Sequence, residues 1–178
     1  MVLENRFNKL IEARHGTILY NKNDIYIGKS IEKYGEFSYL EAKIFEQICK
    51  AGDVVIEVGA NIGAHTLYLS KLVGNGYVFA FEPQRLVFQN LCANLALNSI
   101  SNVFAYQEAV SNENGTIIIP ECNFKENNNF GGINIENTKN GTTVNRQKLD
   151  NFLNKIDRLK LLKIDVEGME ILVIKGAK

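Results

Sequence analysis

The residues best suited to chemistry lie in two short segments, each directly after an apolar run. Glu57-Val58-Gly59-Ala60-Asn61-Ile62-Gly63-Ala64 follows Val54-Val55-Ile56, and Glu82-Pro83 follows Tyr77-Val78-Phe79-Ala80-Phe81. Small residues at a strand-to-helix turn let a ligand approach the backbone, and the helix N-terminus that follows offers free N–H groups. Glu82 follows Gly59 by roughly 20 positions, the distance at which an acidic residue accepts both ribose hydroxyls. The two segments together predict a nucleotide-type ligand.

The glycine pattern distinguishes between the nucleotides that such a turn could hold. A dinucleotide site is typical of Gly-x-Gly-x-x-Gly, in which the pyrophosphate lies against the helix, whereas this register holds Gly59, Asn61 and Ala64. Glu57 places a carboxylate before the turn, which repels a pyrophosphate and suits an ammonium group. S-adenosylmethionine carries an ammonium, a ribose and a sulfonium and no phosphate, so the pattern favours this cofactor. A nicotinamide-dependent oxidoreductase stays as an alternative that competition with NAD would separate.

Alternating strands and helices are predicted to position these segments. Short continuous apolar runs are typical of strands covered on both faces. The runs are residues 54–56, 77–81 and 103–106, the helix-like segments between them are about 64–73 and 83–98, and a fourth strand is predicted at 159–164. Strands and helices alternating at this spacing predict a parallel sheet with right-handed crossovers. The fold class is therefore α/β, with a Rossmann-like parallel sheet.

The other segments are predicted to complete one domain of residues 1–178. The N-terminal extension, residues 1–50, is expected to contain a helix, a hairpin and a capped helix. The helix is 1–16, the hairpin strands are 17–20 and 25–27, and Ser38-Tyr39-Leu40-Glu41 is a capping box before a second helix. The cofactor-binding core, residues 51–178, carries an insert at about 111–148. An Asn-rich stretch within this insert is either a loop or a cap over a site.

Composition argues against several classes of partner. The 20 basic and 20 acidic residues give a formal net charge of zero, which argues against a partner held by phosphate neutralisation. No apolar run approaches the ~20 residues of a membrane helix. The 3 cysteines are odd in number and lack metal-ligand spacing, so neither a disulfide framework nor a metal site is predicted, and a reducing cytoplasm is the expected compartment. We therefore predict no nucleic-acid or membrane partner.

The chain resembles the FkbM family of S-adenosylmethionine-dependent methyltransferases. The resemblance rests on four segments and extends from about Tyr34 to the last residue. These segments are Gly52-Asp53-Val54-Val55-Ile56-Glu57-Val58-Gly59-Ala60-Asn61-Ile62-Gly63 with Phe81-Glu82-Pro83, Lys163-Ile164-Asp165-Val166-Glu167-Gly168-Met169-Glu170, and Lys175-Gly176-Ala177. The resemblance implies a class I, Rossmann-like methyltransferase that methylates a hydroxyl group on a sugar or small metabolite.

The resemblance also assigns the residues that would bind the cofactor. Glu57, Gly59, Ala60, Asn61 and Gly63 would border its methionine part. Glu82, followed by Pro83, would hold the ribose, and Glu108 with Ala109 would lie near the adenine.

Two carboxylates are the candidates for catalysis. Asp165 and Glu167 end the fourth strand at the carboxyl edge of the sheet, where open α/β folds bind ligands. One of them, Asp165 before Glu167, would take the proton of the attacking hydroxyl or hold a cation that does so. The alternative for the pair is capping of the turn that follows. Lys163 is expected to face a carboxylate or the strand edge.

Three further sets of residues have less specific expectations. Phe130, Gly131 and Gly132 in the Asn-rich stretch are the candidates for substrate contact. Tyr34, Gly35 and Glu36 either close over the site or form a linker. His65, in the first turn of a predicted helix, either reaches the cofactor or is a helix-start residue with no role in chemistry.

The length of the predicted sheet raises a further alternative. Class I methyltransferases generally have seven strands, and only four are placed here, so the sheet is expected to be truncated at its C-terminal side. The chain would then be a fragment or a reduced version completed by a partner, and in either case it could be non-catalytic. An open sheet edge favours association, so a homo-oligomer through that edge is a prediction.

Overall fold

The computed structural model describes residues 3–132 and 140–178. It begins with a three-stranded antiparallel sheet, in the order β1-β2-β3. The strands are β1 (Leu3–Glu4), β2 (Asn8–Ala13) and β3 (Gly16–Asn21). The predicted helix over 1–16 is therefore wrong, because Leu10 and Ile11 pair across the hairpin with Leu19 and Ile18 and cross-strand pairing outweighs the local helical spacing.

The predicted hairpin is displaced along the chain. Its turn lies between β2 and β3, at Arg14-His15, and residues 25–27 do not form a strand. Asp24 starts a helix instead, since its Oδ1 accepts a hydrogen bond from the Tyr26 N–H at 2.9 Å. Helix α1 (Ile27–Tyr34) follows and ends at Gly35 in the left-handed conformation.

Helix α2 (Tyr39–Ile48) lies where the second helix was predicted, but the capping box is absent. Ser38 precedes it with a φ of 50° and makes no side-chain cap hydrogen bond. Its backbone carbonyl accepts from the Ala42 N–H at 3.2 Å. The Ser38 and Glu41 side chains are thus not bound to each other's backbone.

The central sheet contains the four predicted parallel strands, in the order β10-β4-β5-β6. In chain order the elements are β4 (Val54–Val58), α3 (Ala64–Val73), β5 (Tyr77–Phe81), α4 (Arg85–Leu97), β6 (Val103–Tyr106), β7 (Ala109–Val110), β8 (Gly115–Ile119), β9 (Thr142–Gln147), a 3₁₀ helix (Leu149–Lys155), β10 (Leu161–Ile164) and α5 (Glu170–Lys175). The strand order reverses between β4 and β10, and ligands bind open α/β sheets at such a point. The insert contributes a separate sheet in the order β7-β9-β8.

Side chains cover both faces of the central sheet, as the continuous apolar strands predict. On one face Val55 and Val78 pack with Phe45 of α2 and Leu69 of α3. The cluster on the other face includes Ile56, Val58, Phe79, Phe81, Leu149, Phe152 and Val173.

Within the described ranges, no helix is long and apolar enough to cross a membrane.

Two asparagines of α4 attach the N-terminal sheet to the core. The amide of Asn94, fully buried, accepts from the Leu19 N–H at 2.6 Å and donates to the Leu19 carbonyl at 3.0 Å. Asn98, one turn later, makes the same pair of bonds with Thr17 at 2.9 and 2.7 Å. The two amides satisfy backbone groups of β3, which fixes the N-terminal sheet against α4.

Candidate functional site

The turn after β4 adopts the backbone conformation that its small residues predict. Gly59, Asn61 and Gly63 have φ values of 83°, 51° and 86°, in the left-handed region that Gly and Asn tolerate. The N–H groups of Gly59 and Ala60 both donate to the Phe81 carbonyl at 2.9 Å, which ties the turn to the end of β5. A Cβ at Gly59 would lie 1.9 Å from the backbone oxygen of Asp165, so the segments that follow β4 and β10 are in close contact.

Glu82 lies at the next strand end with its carboxylate held by backbone. Its Oε2 accepts from the Asn61 N–H at 3.0 Å and its Oε1 from the Gln84 N–H at 2.8 Å. Burial raises the pKa of Glu82 to about 7; the two backbone hydrogen bonds lower it and the charge of Glu57 raises it further. Each carboxylate oxygen has a second lone pair, so Glu82 can accept two more hydrogen bonds from a ligand.

Glu57 lies within β4, and its side chain is bonded inside the core. It is buried, its Oε2 accepts from Thr66 Oγ1 at 2.6 Å, and its Oε1 lies 3.6 Å from Lys163 Nζ. Lys163 is its neighbour in the pairing of β10 with β4. The prediction that Lys163 faces a carboxylate is confirmed, and its ammonium also lies 3.6 Å from Asp165 Oδ2.

The cavity at this edge has a volume of about 550 Å³, within the range of roughly 300–1,000 Å³ that is typical of small-molecule sites. It brings together six of the residues that the sequence singles out. They are Gly59, Asn61, Glu82, Gly131, Asp165 and Glu167. Asp165 and Glu167 are exposed. The carboxylates of Glu82, Asp165 and Glu167 therefore share one cavity with the turn after β4.

The other predicted site residues do not line this cavity. Glu57, Ala60 and Gly63 are buried, Pro83 faces a smaller cavity between α4 and the insert, and Gly132 flanks Gly131. Glu108 and Ala109 lie beyond the end of β6, where Glu108 Oε2 is buried with no hydrogen-bond partner. Their roles stay predictions.

The described part of the insert is attached to the site as a cap. The Asn128 carbonyl accepts from the Ile25 N–H and its own N–H donates to the Asn23 carbonyl, both at 3.0 Å. Phe130 is buried and stacks on Phe124 with a centroid separation of 4.5 Å. Its carbonyl accepts from Gln84 Nε2 at 2.8 Å. The backbone thus carries Asn129 and Gly131 to the cavity wall; residues 133–139 lie outside the described residues.

The N-terminal segment supplies cavity residues that the sequence did not identify. They are Tyr26, Ile27, Ser30, Phe37, Ser38 and Glu41, to which the insert adds Asn129. One signal was the Ser38 and Glu41 pair, which the capping-box interpretation absorbed. The other was the expectation that Tyr34, Gly35 and Glu36 close over the site or form a linker; these three residues do not line this cavity. His65 supports this wall from behind: it is buried, burial lowers its pKa, and its Nε2 lies 3.1 Å from the Phe37 carbonyl. Because a carbonyl only accepts, Nε2 carries the proton.

Comparison with known proteins agrees with this architecture. A family model described as the methyltransferase FkbM domain matches residues 57–178, which is more than half of the chain and includes both strand-end turns. The chain belongs to the FkbM methyltransferase domain family.

Among the described residues, no group of three or more His, Cys, Asp or Glu side chains is arranged to hold a metal ion.

Named relatives share part of their length with this FkbM-family chain. Methyltransferase sdnD from Sordaria araneosa is 27% identical over 79% of this chain and 69% of its own length. Hexuronic acid methyltransferase AglP from Haloferax volcanii is 29% identical over 70% of this chain and 49% of its own. Methyltransferase 1 from Beauveria bassiana is covered over 57% of its length. The chain thus spans about half to two-thirds of these relatives.

Among solved structures, TYW2 from M. jannaschii in complex with AdoMet is similar over 62% of this chain and 53% of its own, with 18% identity and a TM-score of 0.47.

Proposed function

We propose that this chain transfers the methyl group of S-adenosylmethionine to a hydroxyl of a sugar or small metabolite. The observation that carries the proposal is the placement of Glu82 and Asp165 in one cavity beside the Gly59 turn. Membership of the FkbM methyltransferase domain family supports it. The relative that acts on hexuronic acid supports a sugar as the acceptor.

The residues present suit the cofactor. Glu82 would accept both ribose hydroxyls on the lone pairs that its two backbone hydrogen bonds leave unused. Glu108, whose Oε2 is buried without a partner, would accept from the adenine amino group. The Gly59–Gly63 turn would border the methionine part, because Gly59 and Asn61 line the cavity. The predicted contact of Glu57 with the cofactor's ammonium group stays a prediction, because the Glu57 carboxylate is buried against Thr66 and Lys163.

When bound, the cofactor supplies a methyl group on a positively charged sulfur, which is already an activated donor. The acceptor oxygen forms a bond to the methyl carbon as the carbon–sulfur bond breaks, and sulfur keeps the electron pair. Asp165 is the group that takes the hydroxyl proton, because it is exposed at the cavity wall directly after β10. The Lys163 ammonium, 3.6 Å from its carboxylate, would help to hold the Asp165 side chain in place.

The cofactor is tested by calorimetric titration of the purified chain with S-adenosylhomocysteine, with NAD in parallel. Micromolar binding of the first and none of the second is expected. Binding of NAD would favour the oxidoreductase alternative. A folded chain that binds neither would be a non-catalytic or partner-completed domain, and the roles of Glu82 and Asp165 would be withdrawn.

The insert is proposed to contribute to acceptor choice, because Gly131 and Asn129 reach the cavity wall. Phe130 is buried against Phe124 and would act by holding this segment, and Gly132 would follow it. Shortening the insert should change which acceptors are methylated while S-adenosylhomocysteine affinity is kept. A fall in that affinity would place the insert in the cofactor site instead.

Two further proposals concern the setting of the chain. The cysteines Cys49, Cys92 and Cys122 are free thiols, which supports a reducing cytoplasm. Strand β10 pairs on one side only within the described ranges, which supports association of two copies through this edge. Light scattering of the purified chain tests the second proposal, and a monomer would exclude it.

A further inference from the structure

A second cavity adjoins the one that holds Glu82 and Asp165. Its volume is about 390 Å³, and its lining residues are Arg14, Ser30, Tyr34, Glu36, Ser38 and Tyr39. Ser30 and Ser38 line both cavities. A ligand that extends past these two serines would therefore occupy both spaces at once.

Two exposed tyrosines form part of the second cavity. Tyr34 is 60% exposed and Tyr39 is 49% exposed. The ammonium of Lys33 lies 4.8 Å from the centroid of the Tyr34 ring, and that of Lys43 lies 5.6 Å from the Tyr39 ring. An exposed ring with a polar tip suits a ligand that is apolar on one face and hydroxylated at its rim.

The floor of the second cavity carries an incompletely bonded carboxylate. Glu36 is only 8% exposed, and its Oε1 lies 3.1 Å from Arg14 Nε. Its Oε2 is buried without a hydrogen-bond partner and lies 3.5 Å from His15 Nε2. Oε2 thus faces His15, which does not line the second cavity. Oε1 lies beside Arg14 Nε, and the other N–H groups of this exposed guanidinium are left for a ligand.

We propose that this second cavity seats the neighbouring sugar ring of an oligosaccharide or glycoside, while the hydroxyl to be methylated lies in the first cavity. The inference rests on the methyl transfer proposed above and extends it to the length of the acceptor. The C–H face of a pyranose packs on Tyr34 or Tyr39. Its hydroxyls accept from the exposed guanidinium of Arg14, which Glu36 Oε1 holds in place. The chain therefore selects a sugar linked to another group over a free monosaccharide.

The test is binding of the full chain to an array of neutral and uronic mono- and oligosaccharides, with and without S-adenosylhomocysteine. Retention of di- or longer saccharides at least tenfold above the matching monosaccharides is expected. Tyr34→Ala and Tyr39→Ala should each reduce that signal about tenfold, and Tyr39→Phe should keep it because the ring remains. Tyr77→Ala is the matched control, since Tyr77 is 48% exposed and is the first residue of β5, at the end of this strand far from Glu82.

The readouts separate this inference from the proposed function. S-adenosylhomocysteine affinity should be unchanged in the tyrosine variants, which also shows that they fold. A chain that binds S-adenosylhomocysteine but no saccharide, or that binds mono- and oligosaccharides equally, overturns the inference. Loss of a dimer in Tyr34→Ala or Tyr39→Ala with saccharide binding intact would make the surface a contact between copies and overturn it as well. Saccharide binding without S-adenosylhomocysteine binding would overturn the methyl transfer alone.

Discussion

Replacement of Glu82 by glutamine should change both the stability and the cofactor affinity of the chain, each with its own pH dependence. Burial raises the pKa of Glu82 from 4.5 to about 7 in the folded chain. Between these values the folded chain holds a proton that the unfolded chain releases. The free energy of unfolding therefore decreases as pH rises through this window, by about 2.5 kcal/mol from pH 5 to pH 8. Glutamine does not titrate, so Glu82→Gln removes this decrease.

Denaturant unfolding of both chains at pH 5 and pH 8 measures the effect. The difference in unfolding free energy between Glu82→Gln and wild type should shift by about 2.5 kcal/mol in favour of the variant at pH 8. A constant offset of about 1 kcal/mol is expected as well. Each oxygen of Glu82 accepts from one backbone N–H, whereas in glutamine the NH₂ group cannot accept and one of the two hydrogen bonds is lost. The exposed Glu126 gives the control Glu126→Gln, a surface substitution that should change the free energy of unfolding by no more than about 0.5 kcal/mol.

Cofactor affinity, unlike the free energy of unfolding, should increase as pH rises from 6 to 8. Ribose hydroxyls donate to the ionised carboxylate, and about one-tenth of Glu82 is ionised at pH 6 if its pKa is about 7. Wild-type affinity for S-adenosylhomocysteine should thus fall about tenfold from pH 8 to pH 6. Glu82→Gln should bind weakly at both pH values. Parallel stability profiles would refute the raised pKa, and wild-type affinity in Glu82→Gln would remove Glu82 from the ribose site.

Three other substitutions test the remaining parts of the site. Asp165→Asn should lower turnover by about 100-fold or more while calorimetry finds S-adenosylhomocysteine affinity unchanged; wild-type turnover would exclude Asp165 as the base. Gly59→Ala should unfold at much lower denaturant than Gly168→Ala, because both have positive φ but only the Cβ at Gly59 meets backbone, 1.9 Å away; equal midpoints would contradict the close approach. Lys163→Met should cost about 3–5 kcal/mol of unfolding free energy, because the buried Glu57 loses its cation; a variant as stable as wild type would show that Glu57 does not need it.

Local sequence predicted the central elements because their patterns allow one solution. The four apolar runs became β4, β5, β6 and β10, since short continuous apolar runs suit the strands of a covered parallel sheet. The N-terminal residues carried two solutions. Leu3, Phe7 and Leu10 fit a helix, and the pairing of β2 with β3 fits a hairpin. Asn94 and Asn98 decide between them from α4, more than 70 residues away in the chain.

The sequence by itself determined the parallel sheet, the left-handed turn at Gly59, Asn61 and Gly63, and the acidic residue after β5. The turn depends on the backbone freedom of Gly and Asn, and the sheet depends on apolar runs that can be covered on both faces. Only the tertiary structure decided which carboxylates share a cavity. Glu57 lies inside the sheet, paired with Lys163 and bonded to Thr66 in the core, whereas Glu82 lies one residue past the end of β5 and reaches the cavity.

The cavity walls contributed by residues 26–41 were likewise decided by packing. No local pattern places this segment over the carboxyl ends of β4 and β10. It lies there because β3 is held on α4 and the Phe37 carbonyl accepts a hydrogen bond from His65 Nε2. Both contacts join residues distant in the chain, and their partners are defined only once the sheet and helices have packed.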